Sequence, residues 1–136
     1  MKIENGENFI ELEVQLETDT ALPSYGDALI GIVVSSNGYI GKNQVWVAKE
    51  ELELFSASLR ELEKHRKGEA VLNSMSPDEL NLRIYAYDGV GHLAIEGTTG
   101  HQVAGSVSFN HSIQFGFIVE AEQIVRMASS AWSHRF

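Results

Sequence analysis

The sequence predicts an α+β fold: an antiparallel β-meander sheet of six to seven strands with two helices packed on one face. Three features lead there. Apolar and polar side chains alternate with a period of two in several segments, an Asn-Gly pair sits between two β-rich runs, and helical spacing occurs in two places only. No repeat, low-complexity tract or linker breaks the pattern, so residues 1–136 read as a single domain.

The elements follow in order. In "FIELEVQLE" (9–17), Ile10, Leu12, Val14 and Leu16 alternate with Glu11, Glu13, Gln15 and Glu17, giving a strand one buried face and one wet, acidic face. "TDTALPSYGD" (18–27), with Pro23 and Gly26, reads as a loop. Asn37-Gly38 then supplies two residues that tolerate positive φ, the signature of a type I′ hairpin. That turn pairs Ser36 with Tyr39, Val34 with Gly41, Ile30 with Val45 and Leu29 with Trp46.

Leu52, Phe55, Leu59 and Leu62 form an apolar stripe at helical spacing. Glu50 and Glu51 at its start and Lys64, His65, Arg66 and Lys67 at its end suit the helix dipole, and Gly68 suits the position past the C-cap, so a helix is predicted over 49–67. "SPDE" (76–79) has the form of a capping box, but the alternating "LNLRIYAY" follows at once, so a single turn leading into a strand is expected. "DGVG" (88–91) makes the next hairpin, with "HLAIEG" returning from it.

Odd positions from Val103 to Val119 are mostly apolar, but an unbroken strand of that length would span roughly 56 Å. A break is therefore expected at Asn110-His111, with Phe109 pairing Ile113, Val107 pairing Phe115 and Gly105 pairing Phe117. Beyond Glu120 and Glu122, a face of Ile124, Met127, Ala128, Ala131 and Trp132 predicts a C-terminal helix.

Composition narrows the chemistry. With no cysteine, disulfides, thiol nucleophiles and thiolate metal sites are excluded. The N-terminus has no signal-like apolar run and no stretch is apolar enough to span a bilayer, so a cytoplasmic protein is expected, without membrane association. A formal charge of -9 opposes binding to nucleic acid, whose phosphates it would repel.

On the predicted hairpins His92, His101 and His111 fall at or near strand ends, and no pair has ligand spacing, so no metal site and no cofactor are expected. "GVG" and "GTTG" lack the helix start of a phosphate loop, and Ser106 in "GSVSF" lacks the strand–turn–helix setting of an activated nucleophile. Asp88 and Glu96 fit a hairpin and a wet strand face better than an acid–base pair, and the basic cluster 64–67 fits a helix C-terminus. No catalytic residue is assigned.

Two surfaces stay open as binding candidates. One is the acidic series Glu11, Glu13, Glu17 and Asp19, with no lysine or arginine interleaved; solvation explains it, or it docks a cationic protein. The other is a ligand site inside a curved sheet using Tyr85, Tyr87, His92 or His101, Tyr85 and Tyr87 sharing a face with Arg83.

The element order resembles small bacterial immunity proteins of the WapI type and related families. Trp46 leading into Leu52, Phe55 and Leu59 matches their tryptophan strand and helix, and Phe115 and Phe117 leading into Glu122 and Ile124 matches their late strand and helix start. The resemblance implies a non-enzymatic protein that binds a cognate toxin, and the acidic strand face makes a basic toxin domain the expected partner. A small-molecule or enzymatic domain and a homodimeric structural subunit are the other expectations.

Overall fold

The computed structural model describes residues 1–130. Eight strands form two four-stranded antiparallel sheets. The first contains β1 (Lys2–Asn5), β2 (Asn8–Leu16), β3 (Ala28–Ser36) and β4 (Tyr39–Val47), in that order. Helix α1 (Lys49–His65) leads to the second, made of β5 (Glu69–Asn73), β6 (Leu80–Ala86), β7 (Leu93–Val103) and β8 (Phe109–Val119), and α2 (Ala121–Ala128) closes the described chain.

This corrects the expectation of one sheet with both helices on one face. Each meander carries a full apolar face, and two helices of 17 and 8 residues cannot cover both. The sheets cover each other instead. Ile10, Ile30, Ile32 and Val34 from the first, Leu72, Leu82, Ile84 and Phe117 from the second, and Phe55 and Ile124 from the helices belong to one buried cluster.

Local expectations fare better. The four pairs set by the Asn37-Gly38 turn are all present, and both turn residues have positive φ (49° and 90°), as a type I′ turn requires. Helix α1 buries Leu52, Phe55, Leu59 and Leu62 and lies alongside β5 and against α2. It ends two residues before the expected 67: left-handed Arg66 donates its N–H to the Leu62 carbonyl at 2.9 Å. The β2–β3 loop caps its other end, Asp27 Oδ1 accepting the Lys49 N–H at 2.8 Å. In α2, Ile124, Met127 and Ala128 are buried as expected, whereas Ala131 and Trp132 lie outside the described residues.

The β7–β8 hairpin is the second correction. No break falls at Asn110-His111; the strands run to Val103 and from Phe109, joined by residues 104–108. Phe109 pairs with Val103, Ile113 with Thr99, Phe115 with Gly97 and Phe117 with Ile95. "TTGHQV" (98–103) continues β7 beyond the returning segment "HLAIEG". Because β6 ends its pairing at Thr99, the stretch from His101 to His111 projects beyond the sheet as a two-stranded ribbon whose residues are all exposed.

Two polar joints and one close approach fix the sheets where this ribbon starts. Asn43 Nδ2 on β4 donates to the Gly100 carbonyl at 2.8 Å, to Thr99 Oγ1 at 3.0 Å and to the Glu79 carbonyl at 3.2 Å. Ser36 Oγ donates to the Gly116 carbonyl at 3.3 Å and accepts the Gly116 N–H at 3.1 Å. Between them Gly41 lets β4 sit on Ile113; a Cβ there would stand 2.7 Å from Ile113 Cγ2.

Candidate interaction surfaces

The outer face of the first sheet stays open to solvent. Glu11 and Glu13 stand exposed on β2, as expected. Glu17 lies just past the strand, half-buried, its main chain bonded to Asp27 and Gly26, in a hollow shared with Tyr25, Lys49 and Glu53. Asp19 belongs to the loop, where Oδ1 accepts the Ala21 N–H at 2.9 Å. The four acidic residues therefore follow one edge-to-loop path.

The structure adds cations that the linear pattern conceals. Lys2 pairs with Glu11 across β1–β2, and Lys42 stands in the same row beyond Val33. Lys2 also bonds Glu4 at 3.4 Å and lies over the Phe9 ring at 4.6 Å. Lys42 also lines the groove with Glu11 and Glu13, and Lys49 shares the hollow of Glu17, so cations temper the acidic path at both ends. Gly31 leaves a shallow groove beside Glu13, and Trp46, 43% exposed, forms the next row of this face on β4.

The alternative ligand residues do not converge. Tyr85 belongs to an exposed network on the outer face of the second sheet: Arg83 Nη1 donates to Glu96 Oε1 at 2.9 Å, Arg83 Nε pairs with Glu69, and the Tyr85 hydroxyl donates to Glu96 Oε2 at 3.2 Å. The Arg83 guanidinium also lies 3.9 Å from the Tyr85 ring centroid. Its bond to Glu69, outweighing burial and supported by Glu96, raises the Arg83 pKa above the usual guanidinium value. Burial, then the charge of Glu96, raises the Tyr85 hydroxyl.

Tyr87 and His92 stack at 6.0 Å at the β6–β7 turn. There Asp88 Oδ2 bonds His92 Nδ1 at 2.6 Å, while Asp88 Oδ1 accepts the N–H groups of Val90 and His92. The His92 contact holds the Asp88 carboxyl below the usual carboxylate range. His101 is nine residues further on, roughly 30 Å along the strand, and on the opposite face.

His101 instead pairs directly with His111, ring centroids 5.7 Å apart and tilted by 40°. This overturns the expectation that the histidines scatter among strand ends, because the strands containing them are longer than expected. Both rings are exposed, and no group of three or more potential ligands forms a metal cluster among the described residues. Neither "GVG" nor "GTTG" cradles a helix start: the first lies in the turn and the second within β7.

Among the described residues the candidate groups form separate exposed surfaces. Residues 2–131 match the model described as the immunity protein WapI-like family. No curated protein and no solved structure matches the chain.

Proposed function

The chain belongs to the immunity protein WapI-like family, and we propose that it neutralises a cognate bacterial toxin by binding it, without chemistry of its own. The family match over nearly the whole chain carries this reading. The acidic path over Glu11, Glu13, Glu17 and Asp19 serves as the docking face for a basic toxin domain, with Trp46 and the groove beside Gly31 supplying apolar contact. A formal charge of -9 draws such a partner in and raises the association rate at low salt.

The test uses a toxin identified as the partner of this chain and the combined variant Glu11→Lys, Glu13→Lys and Glu17→Lys. Its association rate should fall by roughly tenfold or more at low ionic strength, and the salt dependence should flatten. Unchanged affinity and salt dependence would remove this face from the account. Failure of the native chain to protect cells from that toxin would remove the immunity function itself.

A further inference from the structure

We infer that the free edge of β8, at Asn110, Ser112 and Gln114, pairs with the same edge of a second copy of this chain. The main chain of even-numbered β8 residues points away from β7. Gly116 shows this through its two bonds to Ser36 Oγ, and Ile118 through its carbonyl, which accepts from Asn5 Nδ2 at 3.0 Å. These bonds close the edge at 116 and 118. Asn110, Ser112 and Gln114 point the same way, and no hydrogen bond closes the edge there among the described residues.

Soluble proteins guard such edges with lysine, proline, a bulge or a covering segment. β8 itself carries none of these guards, and the one lysine that lines a hollow with Ser112 is Lys42 on β4. From Gly97 to Val119 the sequence contains no Asp, Glu, Lys or Arg. Exposed apolar side chains border it instead: Tyr39 (73%) and Ile40 (71%) beside Ser112 and Gln114, and Phe109 (59%) at the start of the strand.

A second copy is the occupant that these features fit. A basic partner is drawn to carboxylates, and this segment has none. Two copies of a chain of charge -9 repel elsewhere, but the two β8 strands would meet here with no charged side chain of their own. The edge is also self-complementary. An antiparallel pairing with its two-fold axis at Ser112 sets Ser112 against Ser112 and Asn110 against Gln114, each with main-chain groups facing, for about six hydrogen bonds. The two second sheets then become one continuous sheet, and the exposed rim formed by Tyr39, Ile40 and Phe109 is covered.

Sedimentation equilibrium over a concentration series tests this. The native chain should reach twice the 15.0 kDa of one copy, and Ser112→Pro should stay at 15.0 kDa, with the same melting temperature as the native chain when both are dilute enough to be monomeric. Proline is suited to this position because the Ser112 N–H faces outward and gives β7 no bond. Independently of any substitution, amide exchange at Asn110, Ser112 and Gln114 should slow as concentration rises. A chain monomeric up to about millimolar concentration, or a Ser112→Pro dimer, overturns the inference. So does a monomer whose Ser112→Pro variant loses toxin binding, which would make this edge a toxin site. None of these results alters the Glu11, Glu13 and Glu17 test, so the two readings fail separately.

Discussion

Asn43 gives the sharpest test of how the two sheets are joined. Its Nδ2 group reaches three acceptors, the Gly100 carbonyl, Thr99 Oγ1 and the Glu79 carbonyl, at 2.8, 3.0 and 3.2 Å. Two hydrogens serve them, so the group makes two full bonds' worth of interaction. At about 0.5–1.5 kcal/mol net for each, Asn43→Ala should destabilise the fold by about 1–3 kcal/mol. Thr99 Oγ1 keeps its own 2.6 Å bond to the Glu79 carbonyl, which limits the loss. Asn43→Asp has nearly the same shape but no proton to give, and its carboxylate would face two carbonyl oxygens. It should therefore cost more than alanine at neutral pH. The deficit should shrink on acidification, when a protonated carboxyl can donate once. Urea unfolding with the slope compared between variants measures all three. An alanine cost under about 0.5 kcal/mol, or an aspartate milder than alanine, would refute the role given to this joint.

Other expectations follow from single contacts. Phe55 is fully buried in the shared core, so Phe55→Ala should lose roughly 3–5 kcal/mol in equilibrium unfolding, and a loss below about 1 kcal/mol would mean that α1 is not packed there. Ultraviolet titration should place Tyr85 above the ordinary tyrosine value; Glu96→Gln removes the charge but leaves the burial, so the value should fall only part of the way. Because Asp88 is depressed in the fold, its contribution is complete above the unfolded carboxylate range and is lost as pH falls through its lower folded value. Exchange of the Val90 and His92 amides should accelerate over that acidic window, and no change there would refute the turn's dependence on the carboxylate.

How much of this was legible in the sequence depends on distance along the chain. Alternation told which side of β2 and β6 is buried, and the Asn37-Gly38 turn gave the β3–β4 register, because both are local. Strand partnership is not local. Nothing in the alternation of Leu80 to Ala86 says that it belongs to a different sheet from Ala28 to Ser36. The four- and five-residue strands β1 and β5 are also too short for periodicity to reveal. The same limit governs the candidate surfaces. Glu11 and Glu13 were identifiable from one strand, but Lys2 and Lys42, which temper them, come from its neighbours.

The ribbon shows where a composition rule misleads. Gly97 and Gly100 in "GTTG" argue for a loop, but in β7 they sit where backbone crowds closest: a Cβ on Gly97 would collide with the Asn81 carbonyl and Phe115, and one on Gly100 would lie 2.5 Å from the His111 carbonyl. Thr98 and Thr99 between them are good strand formers. Taking the glycines as packing requirements extends β7 to Val103 and brings His101 opposite His111. It also exposes the β8 edge, so one misread segment hid both features. The absence of charge between Glu96 and Glu120 was visible in the sequence from the start, but register gives it meaning. On a covered strand it would be ordinary core composition; on an open edge it removes the repulsion that otherwise keeps acidic chains apart.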